Sequence, residues 1–509
     1  MPNQSTSTAA WTVLRGGRLI EPGQPRPRAA DLLIEGDTIH AIGAPGMAVP
    51  EGTQSVDAAG MLLHPGLINA HTHGHGNLAR GMGDRWTLEL LLTAGPWISG
   101  NRSTEDKHLA TLIGASEMLL KGCTACYDLT FEFPSPTVDG MQAAAAAYAQ
   151  AGMRAVLAPM VANLSFFEAI PGLHAALPPR LQKQVERLRM APTDSILKAM
   201  AETVKHWKSD ADHIRLAIAP TIPHHCTDEF LIGCRNLARD NGLALHSHVS
   251  ESKVQAIAGL RTYGTTLTAH LDKLGLVGPD FTVAHGVWLD DDDMKLLGAK
   301  GASVAHNPGS NMRLGSGLAN MRRMLSSGVN VGIGTDGSNC SDNQNMFEAM
   351  RLASMVSKVQ GPDWQNWITT GEVLHAATVG SARALGFGGK LGCIAAGYKA
   401  DIVFIDSRHI NMIPLIDITN SLVHAEDGGA VHSVMVGGRM VVAARKLLHV
   451  DMDKLAYEAE NAVERLERLN HANHALYCEL EPVVGSFCPG LAAEPFHVHR
   501  YGACQHTTH

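Results

Sequence analysis

The sequence predicts an α/β fold: a (β/α)8 barrel of the TIM type, joined to a small composite β-sandwich domain built from N- and C-terminal segments. Three observations predict it. Apolar runs of six to eight residues recur eight times between residues 64 and 336, with helix-like stretches between them. The two ends of the chain share a different, hairpin-like pattern. Polar residues able to bind a metal gather at the ends of the apolar runs, where a barrel of this kind carries its active site.

The first 64 residues read as short strands and turns, with "WTVLRGGRLI", "ADLLIEGDTIHAIG" and "QSVDAAGMLLHPG" broken at glycines. A matching pattern returns as "GYKADIVFID" and "VHSVMVGGRMVVAARKLL", so residues 1–64 and 393–450 are expected to close one β-domain. Residues 65–392 are assigned to the barrel and 451–509 to a C-terminal helix and a histidine-rich tail. The eight barrel strands are "HPGLINAH", "CTACYD", "RAVLAPM", "RLAIAPTI", "LALHSHV", "FTVAHG", "ASVAHN" and "VNVGIGTD". Near-continuous apolar strands separated by helices such as "MQAAAAAYAQAG" indicate a parallel sheet covered on both faces. The connection from 161 to 214 is long enough for a lid or an oligomer contact. The tail holds His497, His499, His506 and His509, and is read as an arm that docks on a neighbour or stays disordered.

At 509 residues the chain exceeds what one hydrophobic core supports, and 45% hydrophobic with 18% charged residues is ordinary globular composition. No stretch reaches the roughly 18 uncharged apolar residues that span a bilayer. The first residues, "MPNQSTSTAAWTVLRGG", lack the pattern of a secretory signal. A soluble, cytoplasmic protein is expected. A net charge of −8 without a basic cluster gives no reason to expect nucleic acid or membrane as partner, and favours a small molecule. Nine scattered cysteines do not form a disulfide framework; the CxxC of Cys123 and Cys126 has no second pair and reads as strand packing.

The strand ends carry the chemistry. Strand one ends in His71 and His73, strand five in His246 and His248, strand six in His285, strand seven in His306 and strand eight in Asp336. Residues two apart on a strand point the same way, so His71 and His73 can both face the barrel axis. His75 follows Gly74, where the strand gives way to loop. Imidazoles from strands one and five with a carboxylate from strand eight make a site for zinc or ferrous iron. A lone histidine, such as His64, His224, His225 or His375, is more simply a hydrogen-bonded structural residue. Position in register is what separates the strand-end residues from these.

"PGLINAHTH", "HSHVSES", "VAHG", "SVAHNPGSNMRLGSG" and "GIGTDGSNCSDNQNMFEAMRLA" together resemble the ordered signature of the amidohydrolase superfamily. The likeness is to the branch of guanine deaminase, adenosylhomocysteine and methylthioadenosine deaminases and chlorotriazine hydrolases, over about residues 10 to 450. The resemblance implies one divalent metal, zinc with iron as the alternative, on His71, His73, His248 and Asp336. It implies Glu251 as proton shuttle and His285, with Asp336, beside the attacking water, and leaves His75 without a role. The bridging residue that two-metal members need on strand four is missing from "RLAIAPTI". Homo-oligomers are common in the family and are expected here.

Three readings follow. The first is hydrolytic deamination of an amino-substituted N-heterocycle, a purine, pterin, pyrimidine or triazine. The second uses the same machinery to release chloride or an amine. The third, a metal-free structural relative, is opposed by the filled ligand positions. Nucleoside deaminases of the branch carry a substrate histidine and a ribose-binding glutamate where this sequence has Thr221 and Gly100. Trp86, Trp97 and Phe131 are candidate walls for a flat ring, with packing as the plainer reading. Asn339, Ser341, Asp342 and Asn343 can line a pocket, and His306, which "VAHNPGSNM" places with Asn307, is a candidate substrate contact or an orienting group. Asp128 on strand two is a candidate orienter of a ligand histidine.

Overall fold

A computed structural model describes residues 10–502 of the chain. The barrel strands form at the expected apolar runs: β1 Leu67–Thr72, β2 Cys123–Phe131, β3 Arg154–Val161, β4 in two pieces, Ile214–Leu216 and Ala219–Pro220, β5 Leu245–Val249, β6 Phe281–His285, β7 Ser303–His306 and β8 Asn330–Ile333. β1 to β4 pair in order as one parallel sheet and β5 to β8 as another. Backbone hydrogen bonds join the two into a ring. His246 N donates to Ile218 O at 3.0 Å and His248 N to Thr221 O at 2.8 Å, while Asp336 N donates to His71 O at 2.9 Å on the other side. Across the break in β4, Ala217 N bonds Leu157 O and Ile218 N bonds Ala244 O, so pairing continues on alternate neighbours.

Helices cover the outside. Thr137, Thr227, Ser252 and Asp290 each accept a backbone N–H of the first turn that follows, and Gly152, Gly264 and Gly301 end the same helices or their neighbours in the left-handed conformation. The main core lies between strands and helices, where Tyr148, Leu157, Phe230, Phe281 and Phe347 are buried. A second cluster with Ile68, Tyr127, Val156, Ala217 and Phe387 joins β1 to β4 to the helix Ser381–Ala384.

The strands Trp11–Leu19, Arg28–Glu35, Thr38–Gly43, Gln54–Asp57 and Met61–Pro65 join Ile402–Asp406, Val431–Val436, Arg439–Ala443 and Lys446–Leu447 in one nine-stranded sheet. The join is the antiparallel pairing of Met61–Pro65 with Ile402–Asp406, so both ends of the chain do build one β-unit. Hydrogen bonds run through all nine strands in turn. Its core holds Leu14, Leu32 and Leu63 from one end with Ile402, Phe404 and Met435 from the other.

The 161–214 connection carries the short helices Phe166–Ala169, Leu173–Ala176 and Pro179–Val185, then Thr193–Lys205. The three short helices share an apolar cluster with the helix Leu88–Ser99 and the C-terminal helix His471–Ala492, through Phe167, Leu173 and Leu181 against Leu480 and Val484. Arg180 pairs with Glu479 across this contact. Among the described residues, the C-terminal helix packs on its own barrel, its apolar face against the cap formed by the insertion. His497 reaches Asp290 at 2.8 Å, whereas His506 and His509 lie outside the described residues. Among the described residues, no helix is long and apolar enough to cross a membrane.

Arg154 on β3 ties barrel to sheet. Its Nε and Nη2 donate to the two Asp401 carboxylate oxygens at 3.0 and 3.2 Å, and both side chains are 4% exposed. Asp401 Oδ1 also accepts Gly437 N at 2.7 Å. Removing one partner of a buried pair strands the other's charge. Arg154→Ala is expected to lower unfolding free energy by about 3–5 kcal/mol in chemical denaturation. A loss below about 1 kcal/mol would show that the joint does not depend on this pair.

Candidate metal centre

At the carboxyl ends of the strands, His71 of β1, His73 just past it, His246 and His248 of β5 and His285 of β6 converge in a buried cluster. The His71 ring lies 4.8 Å from His73, 4.9 Å from His248, 5.0 Å from His246 and 5.3 Å from His285. Asp336 Oδ1 stands 3.2 Å from His73 Nε2 and 3.5 Å from His71 Nε2. Its other oxygen is 3.7 Å from His285 Nε2, which lies 3.6 Å from Glu251 Oε2. Asp336 was expected to end β8; the strand stops at Ile333, and Asp336 follows three residues on with φ +63°. His285 closes β6 at φ +71°. Non-glycine residues hold such angles only where surrounding bonds impose them. For Asp336 those bonds run from its N–H to His71, from Gly337 N (2.8 Å) and Ser310 Oγ (2.5 Å) to its carboxylate, and from Thr72 and Gln344 to its carbonyl.

The histidine tautomers follow from the second ring nitrogens. His73 Nδ1 donates to Leu129 O and His248 Nδ1 to Thr221 O, each at 2.7 Å. A carbonyl only accepts, so in the neutral rings both protons sit on Nδ1 and both Nε2 atoms present lone pairs. Those two Nε2 atoms are 3.2 Å apart. Two lone pairs at that distance repel unless a cation lies between them. His71 has neither ring nitrogen hydrogen-bonded, and His285 Nε2 is also without a partner. Among the described residues, the donor sets able to hold a metal are His71–His73–Asp336, His71–His248–His285 and Glu251–His285–Asp336, all buried. Buried imidazole nitrogens gathered beside a buried carboxylate fit a divalent ion.

Burial opposes charge throughout. It pulls His71 down to about 3. On His73 burial is outweighed by the adjoining Asp336, which raises its basicity. On Asp336 burial is outweighed by the adjoining His71, His73 and His285, which hold the carboxyl well below its usual range. Glu251 has no such relief: burial, reinforced by Asp336 and Glu89, pushes its carboxyl well above the usual value. Two neighbouring carboxyls are thus driven in opposite directions, Asp336 down and Glu251 up.

The remaining expected residues separate. His75 stands in the 3-10 turn Gly74–Ala79, off the strand, and belongs to none of the donor sets among the described residues. Asp128 does not orient a histidine directly; it accepts Gly74 N at 2.7 Å and Tyr148 OH at 3.0 Å, fixing the turn after His73. Asn339 packs against that turn, where a Cβ at Gly76 would meet its Oδ1 at 2.5 Å. His306 is buried at the end of β7 with both ring nitrogens unpartnered. Trp86 and Trp97 lie 6.0 and 5.5 Å from the Tyr477 ring, packed on the C-terminal helix. The sequence reading missed Asn311, whose Oδ1 lies 2.9 Å from His285 Nδ1, together with Ser310, Gln344 and Glu89. Their signal was weak: "NPGSNM" places Ser310 and Asn311 in the helix Pro308–Arg313, with nothing to say which strand end they face.

A closed parallel barrel with imidazoles and a carboxylate gathered at the carboxyl ends of its strands defines the class of barrel metallohydrolases. The chain belongs to the amidohydrolase family, whose profile matches residues 62–441. It is 32% identical to a 5′-deoxyadenosine deaminase of Methanosarcina mazei over 88% of this chain and 96% of that one. It is also 32% identical to a 5-methylthioadenosine/S-adenosylhomocysteine deaminase of Syntrophobacter fumaroxidans, covering 86% and 92%. An adenosine deaminase from Xanthomonas campestris with bound zinc superposes at TM-score 0.79, with 26% identity, over 90% of this chain and 98% of that one. An atrazine chlorohydrolase from Arthrobacter aurescens TC1 complexed with zinc does so at 0.79, with 25% identity, over 89% and 100%.

His75→Asn is expected to leave the divalent metal content of the purified protein unchanged, whereas His248→Ala, or replacing His71 and His73 together, is expected to remove it. Elemental analysis decides. Full occupancy in the His248 variant would refute the donor set, and metal loss in the His75 variant would extend it.

Proposed function

We propose that the protein hydrolyses an amino-substituted N-heterocycle and releases ammonia, using one divalent metal held by His71, His73, His248 and Asp336. The observation that carries this is the placement of two carboxyls on either side of His285 Nε2, Glu251 at 3.6 Å and Asp336 at 3.7 Å, the first pushed up by burial and the second held low by its histidines. Zinc is the ion proposed, with ferrous iron second, since imidazole and carboxylate ligands suit both. Zinc in two solved relatives supports the choice.

When bound, such an ion supplies a water acidic enough to attack at neutral pH. The other steps belong to the chain. Asp336, held ionised, is the acceptor for the proton of the attacking water, and His285 aims that water through its free Nε2, its ring fixed by Asn311. Attack on a ring carbon bearing an amino group needs a proton on the adjacent ring nitrogen, and departure of the amine needs one on nitrogen again. Glu251, whose carboxyl is pushed toward its protonated form by burial, gives a proton to the ring nitrogen as the water attacks, takes one back from the hydroxyl of the adduct and passes it to the departing amine, and the proton left on Asp336 then restores Glu251. The dry surroundings strengthen each of these interactions.

A second reading keeps the machinery and changes the leaving group to chloride or an amine, and the likeness to an atrazine chlorohydrolase favours keeping it. The nucleoside features of the branch are replaced. Gly100 ends the helix Leu88–Ser99 and its carbonyl accepts from Asn470 Nδ2 at 2.9 Å, while Thr221 links β3 and β5 through its backbone, donating its N–H to Val161 O and accepting His248 N. The measurement that separates the readings is ammonia release by metal-replete protein across aminated purines, pterins, pyrimidines and triazines. Glu251→Gln is expected to retain metal and lose turnover by ~10²-fold or more. Release of chloride or alkylamine with no ammonia would select the second reading, and near-normal rates in the Glu251 variant would move the proton shuttle elsewhere.

A further inference from the structure

The turn after β6 joins the two groups that face each other across the site. His285 (φ +71°) and Gly286 (φ +58°) both take the left-handed conformation, and so does Ser250 (φ +54°), the residue before Glu251. Such angles persist in a non-glycine residue only where neighbouring bonds enforce them. Here Gly286 N donates to Val249 O at 3.2 Å and Trp288 N to Ser250 O at 2.8 Å, so the turn after His285 is stitched to the backbone that leads into Glu251. Trp288 is the pivot of this joint. It is 1% exposed, and its Nε1 donates to Ser316 O at 2.7 Å, in the loop beyond Asn311.

The C-terminal arm clamps that pivot. Phe496, Val498 and Arg500 are half-buried and alternate with the exposed Pro495, His497 and His499, so one face of the arm lies on the barrel. Arg500 Nε donates to Val287 O at 2.9 Å and its Nη2 to Leu289 O at 2.7 Å. These two carbonyls flank Trp288 and converge on one point, where their dipoles repel unless a donor lies between them. The planar guanidinium offers two N–H groups in a fixed fork and satisfies both. Arg500 O accepts Leu318 N at 2.7 Å, and the rings of Tyr501 and Phe496 lie 5.0 and 6.1 Å from that of Trp288. Gly317, at φ +124°, admits the arm: a Cβ there would meet Arg500 O at 2.9 Å. The arm lies beyond the 62–441 span matched by the family.

We propose that Arg500 is a positioning residue for the reaction: by gripping the carbonyls on either side of Trp288 it fixes the turn that ties His285 to Ser250. It thereby sets the backbone from which His285 and Glu251 extend, and with it the 3.6 Å between His285 Nε2 and Glu251 Oε2. The proposal rests on the reading of that pair as water-aiming and proton-carrying groups. Small displacements of reacting groups are costly, since an error of about 1 Å can lower a rate ~10²-fold. The arm touches neither side chain; it acts through two peptide carbonyls and one indole.

The test compares full-length, metal-replete wild type with Arg500→Met, Arg500→Lys and Gly317→Ala, the last of which displaces the arm without altering Arg500. Two readouts are taken: amide hydrogen exchange of the segments 249–252 and 284–290, and kcat and KM for ammonia release from the aminated heterocycle that wild type turns over fastest. In Arg500→Met and Gly317→Ala, exchange in both segments is expected to quicken about tenfold or more, the sign of a local opening made easier. At unchanged metal content, kcat is expected to fall about tenfold or more while KM stays within about threefold. Arg500→Lys, which keeps the charge and loses the fork, is expected to recover part of both. Unchanged exchange overturns the clamp. Faster exchange with wild-type kcat, or a loss confined to melting temperature, overturns the positioning role. Faster exchange in a protein whose wild type releases no ammonia across the panel would sink the deaminase reading and leave the clamp standing.

Discussion

Two imidazole lone pairs, on His73 and His248, face each other across 3.2 Å inside a dry barrel. That arrangement is unfavourable by itself, and much of the surrounding structure exists to hold it. The Leu129 and Thr221 carbonyls orient the rings, and the Asp336 carboxylate supplies the negative charge that a shared cation needs. Because Asp336 also donates its backbone N–H to His71 O, the bond that closes the barrel between β8 and β1 is also the one that positions the carboxylate. Fold and site are coupled at one residue.

The same economy governs the proton-handling groups. His285 and Asp336 occupy left-handed backbone angles, and the helix after β7 secures both, through Asn311 to one and Ser310 to the other. A network of this kind is stiff because each member satisfies another's requirement. Glu251 is the exception, with a backbone N–H anchored by Gln255 and a carboxyl left free of hydrogen-bonded partners among the described residues. A group that must give up and regain a proton is best left unclamped.

Much of this was legible in the sequence, for physical reasons. Apolar runs bounded by glycine and polar residues located all eight barrel strands, because strands buried on both faces have little freedom in composition. The strand-end histidines were visible because a barrel places its strand ends together whatever the loops do. Three features were not legible. The exact end of β8 depends on Asp336 adopting a positive φ, which no local pattern announces. The service of Ser310 and Asn311 to the site depends on a helix only six residues long, Pro308–Arg313. The role of the 161–214 connection and the C-terminal helix depends on each burying the other's apolar face, and neither sequence names its partner.

The composite sheet has a consequence for how the protein is made. Met61–Pro65 pairs with Ile402–Asp406, so a strand that leaves the ribosome early waits roughly 340 residues for its neighbour. Until then it presents an open edge in the nascent chain, the kind of surface on which other chains pair. The barrel between them can assemble first, but the molecule is not sealed until nearly all of it has been synthesised. Expression yield should therefore respond to translation rate and chaperone supply more strongly than the finished fold's stability would indicate.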